Sequence, residues 1–221
     1  MQRIFDIIFS CIALILFSPF LLPLMCILRI TGEGEIFFQQ NRVGRGGEHF
    51  ILIKFATMLK NSADMATGTI TVHNDPRILP MGGFLRKTKI NELPQLINVF
   101  KGDMSVIGPR PQTQRCFDAF PLSSQEKIIK VRPGLSGVGS IVFRNEEEMM
   151  HANDNPNEFY DELVMPYKGR LEEWYVNNAC ISLYFKLIFI TINLVLFNKQ
   201  KAIWAALKKL PEPPKLLKKC L

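Results

Sequence analysis

Between Arg3 and Arg29 the only charged residue is Asp6, and this stretch constrains every fold open to the rest of the chain. As a helix the run IFDIIFSCIALILFSPFLLPLMCIL is about 38 Å long, enough to cross the hydrocarbon of a bilayer. A signal anchor is the plain reading; a cleaved signal peptide fits less well, because the apolar part is too long and no small-x-small pattern follows it. Two features favour a third arrangement, in which the segment enters the bilayer and returns to the same face. Pro19 cannot donate to the carbonyl of Ile15, nor Pro23 to that of Pro19, so two successive turns lose their ladder at mid-segment, which predicts a break there. Basic residues flank both ends, Arg3 before the segment and Arg29, Arg42 and Arg45 after it, which suits two cytoplasmic ends.

With 221 residues the chain can bury a real core, as one domain or one domain with an appendage. A net charge of +7 implies an anionic partner: nucleic acid, anionic lipid or a phosphorylated substrate. The apolar N-terminus argues against nucleic acid. Five cysteines (Cys11, Cys26, Cys116, Cys180, Cys220), odd in number and without a CxxC pair, suggest neither a zinc site nor a disulfide framework, and favour a reducing compartment. His49, His73 and His151 are scattered and read as structural or solvated.

EIFFQQ reads as a short strand, NRVGRGGE as a Gly-rich turn and HFILIKF as a second strand, together a hairpin. From Met58 to Asn74 a loop is expected. RILPMGGFLRKT reads as helical at its end. In ELPQLINVF, Leu93, Leu96, Ile97 and Phe100 share one helical face, expected to be core, and Gly102 stops the helix. SSQEKIIKV and the acidic run from Glu146 to Met150 read as helices, with Glu146, Glu147 and Glu148 facing water. ISLYFKLIFITINLVLF is too short to cross a bilayer; its polar residues Ser182, Lys186, Asn193 and Gln200 form a narrow stripe that leaves a wide apolar surface for packing or for the membrane interface. The lysine-rich end, broken by PEPPK, suits either an anionic leaflet or a solvated tail.

The segment TKINELPQL places Asn91 beside Glu92 ahead of an apolar run. Local structure accounts for the pair: Asn caps helices well, Glu92 sits where the helix dipole favours negative charge, and Pro94 is tolerated in a first turn. Phosphate-directed residues lie close by in sequence: Lys54, Arg86, Lys87, Glu92, and Arg110 held between Pro109 and Pro111 with little entropy left to lose. Further on, VRPGLSGVGS joins Arg132 to Gly134, Gly137 and Gly139, which reads either as an anion-binding concavity or as a plain Gly-rich turn. Neither GxxxxGK[ST] nor a GxGxxG after a strand is present, so P-loop and Rossmann readings lose support.

In order along the chain, RIFDIIFS…SPF, IFFQQNRVGRGG, IKFATM, FLRKTKINELPQLINVFKGDMSVIGPRP, VRPGLSG and PYKGRLEEWYV resemble the bacterial sugar transferases called monotopic phosphoglycosyl transferases. The resemblance covers nearly the whole chain. It implies an α+β, mainly helical fold: a re-entrant membrane helix over 1–34 broken at Ser18-Pro19, a catalytic domain over 35–200 with a small β-hairpin and amphipathic interfacial helices, and a basic tail over 201–221. It also implies transfer of a sugar 1-phosphate from a UDP-sugar to polyprenol phosphate, with Mg²⁺ and release of UMP, at the cytoplasmic face of the bacterial inner membrane. Glu92 would be catalytic or bind the metal, while Lys54, Arg86, Arg110 and Arg132 would hold phosphate. The family's Asp-Glu dyad aligns with Asn91-Glu92. In the family that Asp is thought to attack the sugar-side phosphorus, and an amide is a far poorer nucleophile and Mg²⁺ ligand. Three outcomes stand open: Glu92 takes the covalent role, the lipid phosphate attacks directly, or the chain is a silent membrane scaffold.

Overall fold

The computed structural model describes residues 1–62, 65, 75–146, 149, 156–197, 202–207 and 209–219. Helix α1 (Gln2–Ile30) is about 44 Å long by its residue count. Helical geometry continues across Ser18-Pro19, where the sequence predicts a break. The hydroxyl of Ser18 donates to the Ile15 carbonyl at 2.8 Å, which is the acceptor that Pro19 leaves without an N–H. The lost ladder bond is thus replaced within the turn that loses it.

Both ends of α1 pack on the same domain. At the start, Gln2 Nε2 donates to Ser105 Oγ and the Ile107 carbonyl, and Arg3 donates to the Val99 and Phe100 carbonyls. At the end, Leu21, Leu24, Met25 and Leu28 pack with Phe55 and Leu85. Between them Ile12, Ile15, Leu16 and Phe20 are exposed apolar side chains. Asp6, only 1 % exposed, accepts hydrogen bonds at 2.9 Å from Ser105 Oγ, the Val106 N–H and the Tyr184 hydroxyl.

Strands β1 (Phe37–Val43) and β2 (His49–Phe55) form the expected antiparallel hairpin, in register from Phe37 opposite Phe55 to Val43 opposite His49. The first strand starts later than the sequence suggests and runs on through Asn41, Arg42 and Val43, so the turn is Gly44–Glu48 alone. Then come α2 (Gly82–Thr88), a 3₁₀ turn (Ile90–Glu92) and α3 (Gln95–Lys101). Gly102 ends α3 in a left-handed conformation as expected, but Phe100 is exposed, and the face turned inward carries Gln95, Leu96, Asn98 and Val99 instead. Asn98 is drawn in because its side chain donates to the Ile51 carbonyl of β2 and accepts from the Ile53 N–H.

A second sheet was not foreseen. Strand β3 (Ser105–Ile107) pairs in parallel with β4 (Gly134–Ser136), across a connection holding α4 (Gln114–Asp118) and α5 (Leu122–Ile128). The two backbones touch beyond the ladder: a Cβ on Gly134 would lie 2.1 Å from Gly108 N, and one on Gly137 2.0 Å from Gly108 O. After α6 (Val138–Val142), a helical turn (Pro156–Phe159) leads through a π-helical turn (Tyr160–Val164) into α7 (Met165–Asn178) and then α8 (Ile181–Phe197). The exposed side of α8 bears Phe185, Phe189, Ile192, Val195, Leu196 and Phe197, matching the wide apolar surface expected.

The segment over 201–221 is not a detached tail in its described part. Ile203 of α9 (Ala202–Ala206), Leu207 and Leu217 belong to the main core with Tyr167, Leu171 and Leu187, and Tyr167 donates to the Pro211 carbonyl at 2.9 Å. The expectations for His73, His151, Glu147, Glu148, Lys199, Gln200, Lys201, Lys208, Cys220 and most of the loop after Met58 lie outside the described residues.

Removing the Asp6 carboxylate strands three buried donors, each costing about 1–3 kcal/mol. Asp6→Ala is therefore expected to destabilise the protein by about 3 kcal/mol or more, read by thermal unfolding in detergent, whereas Asp6→Asn, which keeps an acceptor oxygen, should lose less.

Candidate active site

A cavity of about 620 Å³ opens beside the hairpin, lined by charged and apolar side chains together. The polar lining includes Arg42 of β1, Lys54 of β2, Arg86 of α2, Asn91 and Glu92 of the 3₁₀ turn, Arg110, Arg144, Glu146, Tyr160 of the π turn and Lys168 of α7. The apolar lining includes Phe17 of α1, Leu135 of β4, and Ile188, Ile192 and Val195 of α8. The polar group converges from six separate stretches of chain.

Arg110 is held on all sides. Pro109 O accepts from the Gly134 N–H at 2.7 Å, Pro111 O accepts from Arg42 at 3.2 Å, and Gln112 O accepts from the Val43 N–H at 2.9 Å. The Arg110 N–H itself donates to Glu172 Oε1 at 3.3 Å. Its guanidinium meets Glu92 Oε1 at 2.9 Å, with further N–H donors left over for an anion. Burial alone would raise the pKa of Glu92, but Arg110 and Lys54 outweigh it and hold the carboxyl down at about 2. Lys54 goes the other way: burial and the neighbouring Arg42 push its ammonium down to about 7. Arg42 is lowered to about 10 by burial and by Arg110.

Asn91 is not the helix cap its sequence context suggests. Helix α3 begins at Gln95 after Pro94, and the 3₁₀ turn follows Lys89, whose left-handed backbone (φ 62°) swings the chain so that Asn91 and Glu92 meet the cavity. The Asn91 side chain is 7 % exposed and its Oδ1 has no hydrogen-bond partner among the described residues. Orphaned buried amides of this kind are uncommon.

The structure brings Lys54, Arg86, Asn91, Glu92 and Arg110 together, but not Arg132. Arg132 Nε donates to the Gly102 carbonyl at 2.8 Å, at the C-terminal end of α3, where a cation complements the helix dipole. Nor do the nearby glycines cradle a ligand. The Gly134 N–H is bonded to Pro109, and a Cβ on Gly139 would sit 2.3 Å from Glu172 Oε1. The group resting against Gly139 is the protein's own Glu172 carboxyl.

Sequence reasoning missed Arg42, Glu146, Tyr160, Lys168 and Glu172 as site residues. Glu146, expected in water, receives Lys168 Nζ at 2.7 and 3.0 Å, and Lys168 is 1 % exposed over the rings of Phe143 and Tyr160. Burial pushes Glu172 up to about 7 against the pull of the Arg110 N–H and of Lys168. A signal was present: Lys168, Leu171, Glu172 and Tyr175 follow the i, i+3, i+4, i+7 spacing of a buried stripe, with two charges where apolar residues belong.

No cluster of three His, Cys, Asp or Glu side chains suited to a metal occurs among the described residues. Mg²⁺ needs no such cage; it takes one or two protein oxygens and fills its octahedron with water and phosphate oxygens. Glu92 and the orphaned Asn91 Oδ1 are two lining oxygens of the kind such a cation takes.

The family model described as bacterial sugar transferase matches residues 1–198. Among curated relatives, the exopolysaccharide production protein ExoY of Rhizobium meliloti is 33% identical over 159 residues, which is 66% of this chain and 70% of that protein. The undecaprenyl-phosphate galactose phosphotransferase of Salmonella typhimurium is 31% identical over 211 residues, 89% of this chain and 40% of its own length. The UDP-glucose:undecaprenyl-phosphate glucose-1-phosphate transferase of Klebsiella pneumoniae is 34% identical over 203 residues, 90% of this chain and 40% of its own length. This chain thus spans about two fifths of the last two.

Lys54 gives the site a pH signature. Because its folded value of about 7 lies below the lysine value of 10.5, the unfolded chain binds more protons between the two, and stability rises with pH across that window. Below about 7 the ammonium is charged in both states and its burial penalty is felt in full. Relative to Lys54→Met, the parent is expected to gain thermal stability as the pH is raised from about 7 towards 10, measured by melting the two side by side.

Proposed function

The chain belongs to the bacterial sugar transferase family, and from that premise we propose that it transfers a sugar 1-phosphate from a UDP-sugar to polyprenol phosphate with release of UMP. The observation that carries this reading is one cavity lined both by a cluster of cations and by the apolar side chains of α1 and α8. A UDP-sugar offers a diphosphate to Arg42, Lys54, Arg86 and Arg110. Polyprenol phosphate offers one phosphate on an apolar chain, which suits the wall of Phe17, Ile188, Ile192 and Val195.

Phosphoryl transfer asks the protein mainly for positioning and for charge to meet charge. Arg110 is positioned before substrate arrives, by Glu172 on its backbone and Glu92 on its side chain. Lys168, fixed by Glu146, also lines the cavity. Mg²⁺, held by Glu92 and Asn91 together with the substrate, would supply charge neutralisation of the diphosphate.

The membrane placement is supported by α1. Both of its ends pack on the catalytic domain while its middle is apolar and exposed, which supports a helix that dips into the bilayer and returns at a bend near Ser18-Pro19, with the catalytic domain on the cytoplasmic face. Cysteine labels near residue 2 and near residue 40 are expected to react from the cytoplasmic side alone. Reaction of the residue 2 label from outside would establish a spanning anchor instead.

The activity is tested by UMP release from radiolabelled UDP-sugars with undecaprenyl phosphate as acceptor. Arg110→Lys keeps the charge but loses the fork that serves Glu92 and phosphate together, so turnover should fall on the order of a hundredfold or more, with membrane association unchanged. Near-normal turnover in that variant would remove Arg110 from the site.

A further inference from the structure

We propose that Arg3, Lys101 and Arg132 form a binding site for the headgroup of an anionic glycerophospholipid, separate from the cavity, with the lipid's chains lying along an exposed apolar stripe of α1. The site needs α1 in a bilayer, as placed above, and does not depend on the transfer reaction.

Arg132 is the phosphate-directed residue of the sequence that does not line the cavity. It is held at the end of α3, where its Nε donates to the Gly102 carbonyl at 2.8 Å. Arg3 of α1 reaches the same helix end and donates to the Val99 and Phe100 carbonyls. Gly102 touches both arginines: a Cβ there would lie 3.2 Å from Arg3 Nη2. Lys101, the last residue of α3, is exposed. Three cations, from α1, from α3 and from the chain just before β4, thus gather at one helix end.

The carbonyls of α3 orient these groups without neutralising them, since a helix C-terminus carries only about half a negative charge. The carboxylate next in sequence, Asp103, accepts from Asn98 Nδ2 at 3.1 Å. A guanidinium has five N–H donors, and with Nε spent on Gly102 the terminal NH₂ groups of Arg132 form a planar fork suited to phosphate oxygens. Cations held this close repel one another, and a phosphate among them removes the repulsion.

The surface that begins beside the cluster selects a lipid over a free phosphate. Ile4 follows Arg3 directly and is 60 % exposed, and Ile8, Ile12 and Ile15 continue its face of α1, exposed as well. From Arg3 to Ile15 the helix rises about 18 Å, close to the ~15 Å of hydrocarbon in one leaflet. Phe100, whose carbonyl Arg3 holds, is also exposed. A cationic cluster at the head of an apolar stripe one leaflet long complements an anionic headgroup with acyl chains. Inorganic phosphate would leave the stripe unused.

The test places the full chain in nanodiscs of phosphatidylethanolamine and phosphatidylglycerol in equal parts, then identifies by native mass spectrometry the lipids that stay bound on release into mild detergent. Expected is a preference for phosphatidylglycerol on the order of tenfold, falling about fivefold in Lys101→Gln and in Arg132→Gln. Arg29→Gln, which removes a basic residue from the other end of α1, should leave the preference unchanged. Arg132→Gln also loses the bond to Gly102, so thermal melting accompanies each variant, and exposed Lys101 gives the result if Arg132→Gln does not fold. Equal retention of the two lipids by the parent, an undiminished preference in Lys101→Gln, or an equal loss in Arg29→Gln would overturn the site. Displacement of phosphatidylglycerol by equimolar undecaprenyl phosphate, or by millimolar inorganic phosphate, would overturn it too. Failure of the parent to enter nanodiscs would overturn the membrane placement of α1 and the site with it. Turnover is not read, so the transferase reading stands or falls separately.

Discussion

A contact that admits no side chain, Gly108 against Gly134 and Gly137, sets the distance on which the rest of the molecule is built. It closes β3 onto β4, and the three residues of β3 then serve as anchor for nearly everything else. Gln2 and Asp6 of α1, Tyr175 of α7 and the Gly134 side of β4 all bond to β3 or the residues beside it. Arg110 follows β3 by three residues, so the position of its guanidinium in the cavity is inherited from this backbone contact. Replacing any of these glycines would separate the strands before it changed any chemistry.

The site is organised as nested ion pairs rather than as a row of free charges. Glu92 restrains Arg110, Glu146 restrains Lys168, and Glu172 restrains the backbone of the clamp. Such pairs contribute little net stability when buried, because desolvation offsets attraction. What they give is geometry fixed before substrate binds. The cost falls on Lys54 and Arg42, which are held less basic by burial first and by the neighbouring cations second.

Much of this was legible in the sequence where spacing carries a physical meaning. The hairpin followed from alternating apolar residues around a Gly-rich turn, Gly102 ended its helix, and Arg110 between prolines sits on a backbone tied down on both sides. What was not legible depends on long-range partners. Arg132 and Arg110 look alike in sequence, and only the fold sends one to a helix end and the other to the cavity. Asn91 matched a cap by residue type, yet Lys89 takes a left-handed turn that few non-glycine residues adopt, and the capping position moves away. Glu146 read as solvated because its partner is Lys168, on a helix that had to be placed first. The glycines after Arg132 are permissive for a nest or for close packing, and nothing local separates the two.

The hydrogen bond from Tyr184 to Asp6 joins residues 178 apart in sequence. Contacts of such separation close slowly, since chain entropy is lost before they contribute anything. During synthesis the N-terminal helix emerges long before α8 exists, and its carboxylate must wait in an apolar segment without the hydroxyl that later satisfies it. Chain order alone makes the partners available in sequence: the residues of β3 can supply two of the three bonds before α8 exists to supply the last.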